Sequence, residues 1–285
     1  MTAVRRRLSP YLLLGPGTIW LVFFFVVPLV YMVKLSLESG LVGNLEFNWH
    51  WKNYSDALSL YDTQFVRSLI YAGLATLFAL VIAYPLAYTI AFKAGRWRNV
   101  LLFAVIAPFF TTYLIRTIAW ETILSDQSPV TDVLKAMGLA PSGHVLATGG
   151  AVIAGLTYNF LPFMILPIYA SLERIDERLI EAAKDLYSSA TQSFLRVTLP
   201  LSAPGVVAGT LLTFIPAAGD YINAQFLGSA DNQMIGNVIQ ALYLKQSDYP
   251  AAAALSFVLM AAIMVMVLLY IRFAGSEALM GEEAR

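Results

Sequence analysis

Uncharged stretches recur along the chain at the length a single helix needs to cross hydrocarbon. The runs Tyr11–Val33, Ser68–Phe92, Asn99–Ile115, Val145–Leu172, Val197–Gly219 and Tyr249–Ile271 each approach or exceed the roughly 20 residues that span a bilayer. The third continues past Arg116 to Leu124. Helices are therefore expected over 11–37, 64–92, 99–124, 147–171, 203–227 and 249–273, with a charged loop over 173–202. The expected fold class is all-α, a polytopic integral membrane protein of six transmembrane helices forming one domain over 1–285. Arg5, Arg6 and Arg7 precede the first run as in a secretory signal. That run is longer than a signal's apolar region of about 7–15 residues and no small-residue cleavage site follows it, so a retained first helix is expected.

The distribution of Lys and Arg sets the expected orientation. One side collects Arg5, Arg6, Arg7, Lys93, Arg96, Arg98, Arg174, Arg178, Lys184, Arg196, Arg272 and Arg285, whereas the other collects Lys52, Lys135 and Lys245. By the positive-inside rule both termini and the 173–202 loop are cytoplasmic. The outer connections, about 38–63, 125–144 and 228–248, are acidic or neutral, and Trp49, Trp51 and Tyr54 in the first read as an interfacial aromatic belt.

Composition narrows the class further. With 59% hydrophobic residues, 13% charged and a mean hydropathy of +0.69, the chain is too apolar for a soluble globule. A net charge of +0 with dispersed cations offers no face for nucleic acid. The absence of cysteine excludes disulfides and Cys-ligated metal. His50 and His144 lie outside the apolar runs without metal spacing or a Ser/His/Asp arrangement, so no catalytic residue, metal or cofactor is expected. No Gly-rich loop ending in Gly-Lys-Ser/Thr is present, so any ATP-derived energy has to arrive from another polypeptide.

Two places carry candidate chemistry. In the 173–202 loop, Asp176, Glu177, Arg178, Glu181, Lys184 and Asp185 alternate in sign, and Ala182, Ala183, Leu186, Phe194 and Leu195 give a small apolar face. That combination predicts a solvated helix, running from Glu181 to Leu195, which a partner in the aqueous phase covers. Within the apolar runs, ionisable groups are expensive and point to function: Arg116 and Glu121 in the third and Asp220 in the fifth. Arg116 and Glu121 lie about 140° apart around a helix and do not share a face. Pro216 and Gly219 predict a kink or break beside Asp220, and broken helices at membrane depth line cavities. A carboxylate next to Tyr221 suits an ammonium group; an ion pair with Arg116 locking the third and fifth helices is the alternative. In the fourth helix Tyr158 and Asn159 precede Pro162, where Asn159 either lines the pathway or bonds a neighbouring helix. Tyr113, Trp120 and Tyr243 read as packing or belt residues.

Glu181, Ala182 and Ala183, followed by Val197, Leu199 and Pro200, resemble the EAA loop of binding-protein-dependent ABC importer permeases. Tyr187 stands where that family has a glycine. The resemblance implies the type I permease fold, with Glu181, Ala182, Ala183, Asp185, Leu186, Tyr187, Leu199 and Pro200 coupling to an ATPase. Pro108–Trp120, Phe214–Tyr221 and Met234–Asn237 are similar to permeases of spermidine/putrescine importers, although Asn223-Ala224-Gln225 replaces a common Val-Thr-Pro. This implies a bacterial inner-membrane complex of two permeases, a cytoplasmic ABC ATPase dimer and an extracytoplasmic solute-binding protein. Its cargo is a small organic cation, with Asp220, Tyr221, Asn159, Tyr158, Arg116 and Glu121 along the substrate pathway. Rival readings are a permease for another small organic solute and an ion-coupled secondary transporter, the latter disfavoured because no internal repeat is found. A membrane enzyme is a further rival, disfavoured by the absence of any catalytic arrangement.

Overall fold

A computed structural model of the chain describes residues 14–40, 43–138, 143–185 and 189–272. The expected contributions of Arg5, Arg6, Arg7, Leu186, Tyr187 and Arg285 lie outside the described residues. Among the described residues, five helices are long and apolar enough to cross a membrane, and a bent pair makes a sixth.

The chain divides into two compact units, Met1–Asp62 with Ile239–Val258, and Thr63–Val238 with Leu259–Arg285. In the first, α1 (Leu14–Ser36) contains a π-helical turn at Val22–Val26, and no residue of its most apolar stretch is fully buried. A short antiparallel hairpin, β1 (Glu38–Ser39) with β2 (Glu46–Phe47), leads into α2 (Lys52–Leu60). Asn53 fastens α2 to the end of α1 by donating to the carbonyls of Ser36 and Glu38, both at 2.9 Å.

The second unit holds the elements that position the site. Helix α3 (Asp62–Phe92) presents Ala72, Ala75, Ala79, Ala83 and Ala87, all fully buried, at helical spacing. Small residues permit close approach where lipid leaves no hydrophobic drive between helices. This stripe packs on Val152, Leu156 and Phe160 and then Met164, Ile168 and Leu172 of α7 (Gly149–Glu173), which Thr148 caps through the Ala151 N–H.

The third crossing is expected as one helix over 99–124 but is broken. Helix α4 (Arg98–Ile106) tightens into a 3₁₀ turn at Ala107–Phe110, Thr111 and Thr112 are extended, and α5 (Tyr113–Ile123) departs at 95°. Pro108 removes a ladder N–H at the turn and so favours the break. Helix α6 (Pro129–Ala136) follows, capped by Ser128.

Beyond α7 the charged connection forms α8 (Glu177–Asp185). Ser189 and Gln192 form a capping box that opens a new helix, so Glu181 and Leu195 belong to different helices and not to one. This α9 runs from Ala190 through a π turn at Phe194–Thr198 to Ala218. Residues 190–202, expected in the loop, therefore already belong to the fifth crossing. The fifth helix also stops short of the expected 227, at Ala218; Gly219 and Asp220 interrupt it before α10 (Ile222–Leu227). Helices α11 (Ile235–Leu244) and α12 (Tyr249–Tyr270) follow.

Helices α7 and α9 meet through glycine. A Cβ at Gly205 would lie 2.5 Å from the Pro167 carbonyl oxygen and 2.6 Å from Ser171 Oγ, and one at Gly209 would lie 2.9 Å from Met164 Sδ. The Gly-x-x-x-Gly spacing sets both on one face of α9 and lets the backbones close.

Candidate functional site

The break after α9 carries Asp220, and its carboxylate is tied down locally first. Asp220 Oδ1 accepts the Asn223 backbone N–H at 2.8 Å, satisfying one of the free donors at the start of α10. Asn223 Nδ2 reaches back to the same oxygen at 3.2 Å. On the other side, the Tyr113 hydroxyl of α5 donates to Oδ2 at 2.5 Å and accepts from Asn223 Nδ2 at 2.5 Å.

The network continues into α7. Asn159, 1% exposed, donates from Nδ2 to Asn223 Oδ1 at 3.1 Å and to Thr117 Oγ1 at 3.3 Å. Thr117 in turn donates to the Tyr113 carbonyl one turn back on α5. Asp220, Tyr113, Asn223, Asn159 and Thr117 thus join α5, α7 and the α9–α10 break through one chain of hydrogen bonds. Gly155 is required beneath it, because a Cβ there would lie 2.6 Å from Asn223 Oδ1 and against Leu227 Cδ1.

A carboxylate offers about four acceptor sites. Three donors occupy Asp220, so an acceptor position remains for a further donor. Asn159 Oδ1, buried and without a partner, is a second free acceptor in the network. Both features suit a donor-rich cationic group and neither suits an anion.

Arg116 is also buried, but the alternative reading, an ion pair with Asp220, is not what the structure holds: Tyr113 and Asn223 hold the carboxylate. Its guanidinium lies over the ring of Tyr113, 5.6 Å from the centroid, and over Phe109 at 5.2 Å. The Tyr113 contact follows from the three-residue spacing on one helix face. Its Nε and Nη1 have no hydrogen-bond partner.

The remaining pathway residues are placed elsewhere. Tyr158 turns away from the network to meet Trp120 edge-on at 5.3 Å, and the two help line an apolar recess of about 450 Å³ between α3, α5 and α7. Glu121 is half-exposed, one turn beyond Thr117. Tyr221 is 38% exposed and contributes its carbonyl, which accepts from Asn237 at 2.8 Å. Tyr113, Thr117 and Asn223 were not among the expected site residues; the three-residue step from Asp220 to Asn223, typical of a helix start, was the available signal.

On α8, Glu181, Ala182 and Asp185 are exposed and Ala183 is half-buried, while Ile180 packs towards the α3–α7 core. Leu195, Leu199 and Pro200 at the start of α9 are exposed as well. Phe194, expected on the free apolar face, instead packs edge-on against Tyr84 and Tyr88 of α3. At the end of α7, Glu173 pairs with Arg98, whose Nε also donates to the Tyr169 hydroxyl.

This architecture is that of an ABC importer permease. A crystallised bacterial ABC transporter involved in import of the acidic polysaccharide alginate superposes with a TM-score of 0.73 at 19% identity, covering 96% of this chain and 97% of that one. The MetNI methionine transporter superposes at 0.53, covering 76% and 93%. The profile of the binding-protein-dependent transport system inner membrane component family matches residues 10–279, and the chain belongs to that family. It is 37% identical over 256 residues to the spermidine/putrescine transport system permease protein PotB of Escherichia coli, covering 89% of this chain and 93% of that protein. The PotB of Haemophilus influenzae is 36% identical, with 89% and 90% covered. The chain is therefore a multi-pass membrane permease subunit of an ABC importer and not an enzyme. A solute-binding protein and a separate ATPase subunit work with it.

Proposed function

We propose that this permease carries small organic cations of the polyamine class, spermidine and putrescine among them, through a path that passes Asp220. The observation that carries this reading is the buried carboxylate at the α9–α10 break, held by three donors with an acceptor position to spare. The names of the PotB relatives support the cargo class. Asn159 Oδ1 supplies a second acceptor to an ammonium group.

In this reading the subunit pairs with a second permease in the bacterial inner membrane, with both termini and α8 on the cytoplasmic side. An ATPase dimer grips Glu181, Ala182, Ala183 and Asp185 together with Leu199 and Pro200. Helices α7 and α9 flank α8 in the chain and interlock at Gly205 and Gly209, so a displacement of α8 moves both. Asn159 passes the movement to Asn223 and so to the carboxylate.

Uptake of radiolabelled putrescine and spermidine by cells carrying the complete importer tests the cargo site. Asp220→Asn is expected to raise KM for both while the complex still co-purifies. An unchanged KM rejects Asp220 as a cargo contact.

A further inference from the structure

A buried cation and a buried carboxylate flank one tyrosine ring without touching. The Arg116 guanidinium rests on the face of Tyr113, and Asp220 is bonded to the hydroxyl at its tip. Both charged groups are more than nine-tenths buried, and two guanidinium nitrogens have no partner. An uncompensated buried charge is strongly drawn to an opposite one. Tyr113 is the one side chain that contacts both, the guanidinium through its ring and the carboxylate through its hydroxyl.

Resting on the cargo reading above, we propose that Tyr113 is the positioning residue that keeps Asp220 available to a cation. Its hydroxyl orients the carboxylate, and its ring, with that of Phe109, detains the guanidinium that would otherwise neutralise it. The direction of the bonds supports this role. Asn159 fixes the Asn223 amide by donating to its oxygen, Asn223 then donates to the Tyr113 hydroxyl, and the hydroxyl proton is left to point at Asp220. Each rotor is thereby set, and the carboxylate receives donors throughout. An Arg116–Asp220 ion pair would fill the acceptor position that an incoming ammonium needs.

The test separates the hydroxyl from the ring. Tyr113→Phe keeps the ring and loses one hydrogen bond to a charged group, so KM for radiolabelled putrescine is expected to rise, by at most the roughly tenfold to hundredfold that such a bond is worth if all of it favours the cargo-bound state, with the maximal rate retained. Tyr113→Leu releases Arg116 onto Asp220 and is expected to abolish uptake. Adding Arg116→Gln to Tyr113→Leu removes the internal competitor and is expected to restore uptake to the Tyr113→Phe level. A double variant as inactive as Tyr113→Leu, or a Tyr113→Phe protein with unchanged KM, overturns the proposal. If Tyr113→Leu fails to co-purify with its partners, the KM of Tyr113→Phe decides the matter alone. Asp220→Asn keeps the two readings apart: unchanged KM there defeats the cargo site, whereas raised KM beside an unaltered Tyr113→Phe defeats only the positioning role.

Discussion

Replacing Gly205 by alanine adds a single methyl group where α7 and α9 touch. The new Cβ would sit 2.5 Å from the Pro167 carbonyl oxygen, 2.6 Å from Ser171 Oγ and 2.7 Å from Ser171 Cβ. Backbone occupies one of those contacts, so a rotamer change at Ser171 cannot relieve all three. Ordinary contact requires the helices to part by about 1 Å, which forfeits roughly a quarter to a half of the dispersion energy where they separate. Overpacking of this kind costs about 1–3 kcal/mol, against at most about 1 kcal/mol recovered from the better helix propensity of alanine. A net loss of up to about 3 kcal/mol, or up to about 2 kcal/mol where the propensity gain is realised in full, is expected, with roughly 2–4 °C of melting temperature for each kcal/mol. Gly73 on α3 is the matched control, since a Cβ there meets nothing within 4 Å, and Gly73→Ala should be neutral or slightly stabilising. Thermal unfolding of the purified complex in one detergent compares the three proteins. A Gly205→Ala protein that melts at or above the wild type, or a Gly73→Ala protein that falls as far, refutes the glycine contact as the α7–α9 lock.

Other substitutions probe the two ends of that helix pair. Glu181→Lys is expected to abolish uptake and cargo-stimulated ATPase activity with normal membrane insertion; undiminished uptake would remove α8 as the coupling element. Asn159→Leu and Asn223→Leu each strand a buried partner and should lower stability by about 1–3 kcal/mol, the double variant losing less than the sum. Strict additivity in thermal melts would show that the two amides are not coupled. Gly155→Ala drives a methyl group against Asn223 Oδ1 and is expected to impair putrescine uptake; wild-type KM and rate would show that the network tolerates the displacement.

The residues that were legible and those that were not differ in range. Pro216 and Gly219 act on their own backbone, and the interruption beside Asp220 follows from that local chemistry. Pro108 favours a local kink, but the 95° departure of α5 also needs Thr111 and Thr112 extended, which no apolar periodicity encodes. The partners of Asp220 were hidden for another reason. Tyr113 and Asn223 stand 110 positions apart, and Asn223 and Asn159 64 apart, so their bonds are set by how three helices approach and not by neighbours in the chain. A charged pair of Arg116 and Asp220 was one of two open readings, because opposite formal charge is visible in a sequence. A tyrosine able to serve one with its ring and the other with its hydroxyl is not.

That distinction bears on how a permease uses a buried acid. An ion pair with Arg116 would satisfy Asp220 and leave it nothing to offer a passing solute. Hydrogen bonds from neutral groups hold the same carboxylate in place without compensating the charge it carries when ionised, a state that water-poor surroundings make costly unless a cation is near. The donors sit on α5 and at the start of α10, and Asn159 of α7 orients the shared amide. A small shift of α7 against the α9–α10 break therefore alters how firmly the carboxylate is held. Since α7 leads directly into α8, the helix through which the ATPase is proposed to act is continuous with the side chain that fixes the network. In the proposed reading, affinity for a cation at Asp220 then rises and falls with nucleotide state without any charged residue of this chain changing partners.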